Sequence, residues 1–97
     1  MYKKVEEPHK YYKRHHFIRF YDINGENCLY TFNNVREILR FMGEETSRTN
    51  VNVMNVRILR AAKSEKPSRI LSAIQSDKSV DERRMRTYII DNDEENC

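Results

Sequence analysis

The spacing of apolar positions changes period twice along this chain. Over residues 16–32 it is two: Phe17, Arg19 and Tyr21 share one side and Ile18 and Phe20 the other, then Leu29 and Thr31 stand against Cys28, Tyr30 and Phe32. Alternation in aromatic and branched residues predicts two strands, 16–22 and 27–32. Asn24-Gly25 lies between them, and both residues accept the positive φ that a tight hairpin turn requires. Two registers fit. A two-residue loop at 24–25 pairs Phe20 with Leu29. A three-residue loop at 23–25, with a bulge at Gly25, pairs Phe20 with Cys28. A slip of one residue exchanges the faces.

From residue 34 the period becomes helical. Val35, Ile38, Leu39 and Met42 fall at i, i+3, i+4 and i+7. Asn34 and Glu37 have the spacing of a capping box, and Gly43 supplies a left-handed stop, so a helix is predicted over 34–43. After a turn with Thr46, Ser47 and Thr49 as competing caps, Val51, Met54, Ile58 and Ala61 or Ala62 fit a second helix, about 49–63. Val51 and Val53 would also suit a strand over 51–58. Alternation fails at Met54, however, and the run from Arg57 to Lys63 is strongly helix-forming. Pro67 suits the first turn of a short third helix, 68–76, with Ile70, Leu71 and Ile74 on one face. Residues 84–90 alternate again, Met85, Thr87 and Ile89 against Arg86, Tyr88 and Ile90. The fold class is therefore α+β: a three-stranded antiparallel sheet, hairpin 16–32 plus strand 84–90, with two or three helices on one face.

Length and composition narrow this picture. Ninety-seven residues make one domain with a thin core, and 34% of them are charged. Six Tyr and four Phe supply the large buried areas that the aliphatic content does not. Residues 1–14, interrupted by Pro8, read as a basic flexible arm, 15–90 as the folded domain and 91–97 as an acidic tail. No apolar run approaches the ~20 residues of a membrane span, and residues 1–10 hold no apolar leader. Cys28 and Cys97 read as free thiols, so a cytoplasmic location is expected.

Charge changes the picture most. The net value is only +3, but residues 47–70 carry six Lys or Arg against one Glu, while residues 21–46 carry two against five acids. Local potential, not net charge, attracts a polyanion. One basic cluster, KYYKRHH at 10–16, interleaves Lys10, Lys13 and Arg14 with tyrosines that can stack on bases. A second comprises Arg48, Arg57, Arg60, Lys63, Lys66 and Arg69, within which Arg57, Arg60 and Lys63 recur at three-residue steps. Arg48, Thr49, Asn50 and Asn52 open the second helix with groups that read base edges, since Arg pairs with guanine and Asn with adenine. Capping and turn chemistry accounts for Ser47, Thr49 and Asn50 equally well.

Nothing points to catalysis. Cys28 has no neighbour in sequence that would lower a thiol pKa. His9, His15 and His16 have no spaced acid or thiol to complete a metal set. No phosphate-cradling glycine loop, nucleophile elbow or paired-histidine zinc motif is present. The expectation is a non-enzymatic protein without cofactor or metal.

The run FIRFYDINGENCLYTFNNVREILRFMG, a strand, an Asn-Gly turn, a strand ending in Phe and a helix of the form VxxILxFMG, resembles the nuclease-associated modular DNA-binding repeats. It is also similar to small helix-turn-helix-like proteins of phages and Firmicutes mobile elements, and RTYIIDNDEE is similar to their closing strand and acidic tail. The resemblance covers about residues 16–63. It implies binding of duplex DNA through the second helix, with Arg48, Thr49, Asn50 and Asn52 as reading residues, in a bacterial or phage-infected cell. The chain departs from the pattern where a compact helix-turn-helix would place an apolar residue six positions after Gly43. Thr49 stands there, so the turn is longer. A second expectation is an anti-defence inhibitor, such as an anti-CRISPR protein, that grips a protein or nucleoprotein effector. A third is an interaction module that forms a homodimer.

Overall fold

The computed structural model describes residues 16–64 and 66–91. Its elements are β1 (His16–Tyr21), β2 (Cys28–Phe32), α1 (Val35–Phe41), α2 (Arg48–Ser64) and β3 (Arg86–Asp91). The strands form one antiparallel sheet in the order β2-β1-β3. This is the expected α+β arrangement, with two helices.

The hairpin takes neither expected register. Tyr21 pairs with Cys28, then Phe20 pairs with Tyr30, so Leu29 is the extra residue of a bulge. Asp22 is the cause. Its backbone N–H donates to the Asn27 carbonyl (3.0 Å) and its carbonyl accepts from Gly25 N–H (2.9 Å). Its carboxylate accepts from Glu26 N–H (3.0 Å) and Asn27 Nδ2 (2.8 Å). These bonds close a four-residue loop over 23–26, longer than Asn24-Gly25 alone suggests, and Gly25 sits in it at φ 74°.

Helix α1 follows its local signals. Asn34 caps it, its side chain accepting from Glu37 N–H (2.9 Å). The Glu37 carboxylate reaches back one residue further than a standard capping box, to Asn33 N–H (2.8 Å) and Nδ2 (3.1 Å). At the other end Gly43 adopts φ 77°. Gly43 N–H donates to Arg40 and Glu44 N–H to Leu39, a complete Schellman motif. Of the three competing caps, Ser47 starts α2: its Oγ accepts from Asn50 N–H (3.2 Å) and its carbonyl from Val51 N–H (2.9 Å). The stretch 51–58 is helix throughout.

The third helix, expected over 68–76, is reduced to a single 3-10 turn, Ser72–Ile74. Ser68 instead exchanges two 2.8 Å backbone hydrogen bonds with Met85, an isolated bridge just before β3. Nine residues with three serines are a marginal helix in isolation, and serine competes for backbone bonds. Pairing with Met85 lets the adjacent Ile70 and Leu71 both enter the core. The loop that follows is tied by Arg83, whose Nε donates to the carbonyls of Gln75 (3.0 Å) and Lys78 (3.1 Å).

The core lies between the sheet and the helices. Ile18 and Phe20 from β1, Phe32 from β2, Ile38 and Leu39 from α1, Met54, Ile58 and Ala61 from α2, and Ile70, Leu71 and Met85 are all buried in one cluster. Phe20 and Phe32 meet edge to face at 5.9 Å. Arg19 is buried on the sheet's opposite side, its guanidinium 5.8 Å from the Phe17 ring centre. Cys28 is in a disulfide, which corrects the free-thiol reading and removes its argument for a reducing compartment. The other cysteine, Cys97, is outside the described residues, as are the expected arm 1–14 and the tail beyond Asp91.

Candidate nucleic-acid interface

Helix α2 carries most of the expected contact residues. Its buried side, Met54, Ile58 and Ala61 with Val51 partly covered, docks on the core and leaves the remaining arc to solvent. The helix contains no Asp or Glu, so Arg57 and Arg60 have no acid within one turn along the chain. Arg48, Thr49, Asn52, Arg57, Arg60 and Lys63 are exposed.

They do not form one stripe. At about 100° per residue, each three-residue step turns back about 60°, so Arg57, Arg60 and Lys63 drift about 120° around the helix. Arg57 borders the core contact and Lys63 points directly away from it. Arg48, nine residues before Arg57, lies on the opposite flank. The residues of the first turn diverge as well: Arg48 and Asn52 share a side, Thr49 is about a quarter-turn off, and Asn50 faces back toward the core. The Asn50 side-chain amide donates to the Glu45 carbonyl (2.9 Å), a local turn contact. Asn55 lies exposed at the rim of an apolar groove beside Leu59 and Val35. Lys10, Lys13 and Arg14 are outside the described residues.

What the structure does bring together is Arg57, Arg60 and Arg69. They line an open groove of about 700 Å³ between the C-terminal half of α2 and residues 68–72, with Ser64, Ser68 and Ser72. Among the described residues no carboxylate lines this groove. Among the described residues, none of the three guanidinium groups is in an ion pair. Arg69 is held on a stiff support, since Ser68 before it is bridged to Met85 and Ile70 after it is buried. A smaller hollow of about 240 Å³ continues past Arg69 to Arg84, with Asp81 on its wall. The Ser64 hydroxyl is engaged with the Ala61 carbonyl (3.2 Å), which leaves three guanidinium groups around one concavity as donors suited to phosphate oxygens.

Arg69 belongs to the basic cluster visible in the sequence but not to the expected contact residues. Its signal was its place between two serines in SRILS, which a helical reading hides. The depressed carboxyl pKa values lie elsewhere. Hydrogen bonds from backbone N–H groups hold Asp22, Glu37 and Glu82 below their ordinary range, through Glu26, Asn33 and Ser79 respectively. They are turn and cap carboxylates. Among the described residues no cluster of three His, Cys, Asp or Glu could hold a metal ion, and no helix is long and apolar enough to cross a membrane.

Comparison of the chain with protein-family models, curated proteins and solved structures finds no match.

Proposed function

We propose that this chain is a small non-enzymatic nucleic-acid-binding protein, with duplex DNA as its partner and a phage or mobile-element regulator as its setting. The observation that carries this reading is the convergence of Arg57, Arg60 and Arg69 on one groove, with no carboxylate among its described lining residues. The resemblance of residues 16–63 to modular DNA-binding repeats and small helix-turn-helix-like proteins supports it. In this reading residues 16–43, which turn acidic after Phe20, hold the surface in place, and α2 with the loop behind it meets the phosphates. About five phosphate contacts give a log–log salt slope near −4.5. Anisotropy titration of a duplex at ~50 mM salt and above should show binding with a slope of that order. Absence of binding, or binding indifferent to salt, ends the reading.

A second reading, an anti-defence inhibitor that docks on a protein or nucleoprotein effector, is favoured by one observation. Val53, Val56 and Leu59 are each about half exposed on the outward side of α2. Exposed apolar side chains have no use against phosphate. Capture of a partner from bacterial lysate that survives nuclease treatment would favour this reading over the first.

A further inference from the structure

Resting on the nucleic-acid reading above, we infer that the phosphodiester backbone runs through the Arg57–Arg60–Arg69 groove, and that the chain binds it without reading base edges. Arg57 and Arg60 stand about 4.5 Å apart along the axis of α2, on the same flank. Arg69 faces them from the loop wall, and Ser64, Ser68 and Ser72 line the space around them. Guanidinium forks grip phosphate oxygens in pairs, and hydroxyls add donors that carry no sequence information. Arg69 also lines the second hollow with Arg84, so the donors continue along a track instead of ending in a closed pocket. Asp81 on that wall makes the potential strongest at the Arg57–Arg60–Arg69 end.

The first turn of α2 argues in the same direction. A recognition helix presents its N-terminal side chains to base edges together. Here Asn50 is engaged with the Glu45 carbonyl and turned toward the core, and Thr49 diverges from Arg48 and Asn52. Arg48 lies about 180° around the helix from Arg57. A duplex that met Arg48 and Asn52 would therefore face away from the groove. The two docking modes exclude each other, and the groove holds the denser set of donors.

The test uses the full chain, two duplexes of equal length and unrelated sequence, and anisotropy at ~50 and ~200 mM salt. Arg57→Gln and Arg69→Gln should each weaken both duplexes alike, by about five- to tenfold, and each lower the salt slope by about 0.9. Arg69→Lys should keep the slope while recovering only part of the affinity, because the charge returns without the fork. The double variant Arg48→Gln, Asn52→Ala should stay within about twofold of the parent. Preference for one duplex above about tenfold, abolished by the Arg48–Asn52 variant and untouched by Arg69→Gln, would overturn the inference while leaving nucleic-acid binding intact. Failure of the parent chain to bind either duplex would remove both readings.

Discussion

In residues 16–43 the contacts that shape the turn and the helix ends are local, while β1 pairs along its length with β3 and the Ile23 carbonyl accepts from Arg86 Nε. Asp22 bonds residues four and five positions away, Asn34 one three away, Glu37 one four away, and Gly43 and Glu44 close the helix behind them. Residues 66–85 are held differently. Ser68 is bridged to Met85, Arg83 reaches back eight residues to Gln75, and Ile70 and Leu71 fill a core made mostly by other elements. The second region also carries buried polar atoms without a protein partner, the Ser68 hydroxyl and both ends of the Gln75 amide. The locally determined region is net acidic after Phe20 and forms the scaffold. The region with the Ser68–Met85 bridge places Arg69 opposite Arg57 and Arg60 of α2. Where an irregular segment positions the proposed binding surface, that surface depends on the integrity of the whole core.

The strongest way to break this contrast is to ask whether the two regions unfold together. Phe20 and Leu71 are each 1% exposed, one in each region. Phe20→Ala should cost about 3–5 kcal/mol and Leu71→Ala about 2–5. If the core is shared, urea transitions followed by tyrosine fluorescence and by far-ultraviolet dichroism coincide for both variants, at lower midpoints. A Leu71→Ala protein whose sheet still melts at the parental midpoint would show that residues 66–85 form a separate unit.

A smaller effect of opposite sign is expected at Gln75, which is 2% exposed. A buried amide without partners carries its full desolvation penalty, about 1–3 kcal/mol. Gln75→Met keeps a similar shape and removes both polar atoms, so the urea midpoint should rise. A fall would mean that the amide is engaged in solution, and that the second region is as well satisfied as the first.

The same division decides what could be read from the sequence. Strand faces, the cap at Asn34, the stop at Gly43 and the core stripe of α2 follow from spacing within a few residues, and each was legible. The hairpin register was not, although its signal was present: Asp22, a turn-opening acid that lengthens the loop and moves the bulge to Leu29. The segment 68–76 carried an apolar face that fits a helix, but Ser68 pairs with Met85, seventeen positions on, and no periodicity reports such a bond. The basic content of 47–70 was plain, while its geometry was not. Three-residue steps look like a stripe until helical rotation spreads them, and Arg69 joins Arg57 and Arg60 only because the loop folds back.

Acid should separate the regions by the least. Asp22, Glu37 and Glu82 all have depressed carboxyl pKa values, caused first by backbone N–H donors, from Glu26, Asn33 and Ser79 in turn. A depressed folded pKa means the stability is present above the unfolded value, near pH 4, and is lost as pH falls through the folded one. Two of the three groups belong to the locally bonded scaffold. The variant Asp22→Asn, Glu37→Gln should therefore be less stable than the parent at pH 7, and the difference should close as the pH falls below about 3. Glu82→Gln should show the same closing with a smaller gap, since it holds only a short 3-10 turn over Asp81–Arg83. All three carboxylates are at the surface, so each effect is modest. Urea midpoints at pH 7, 4 and 2.5 read it directly. A gap that persists at pH 2.5 would place the loss in packing of the substituted side chains, and the carboxylate bonds would then have no part in holding the scaffold.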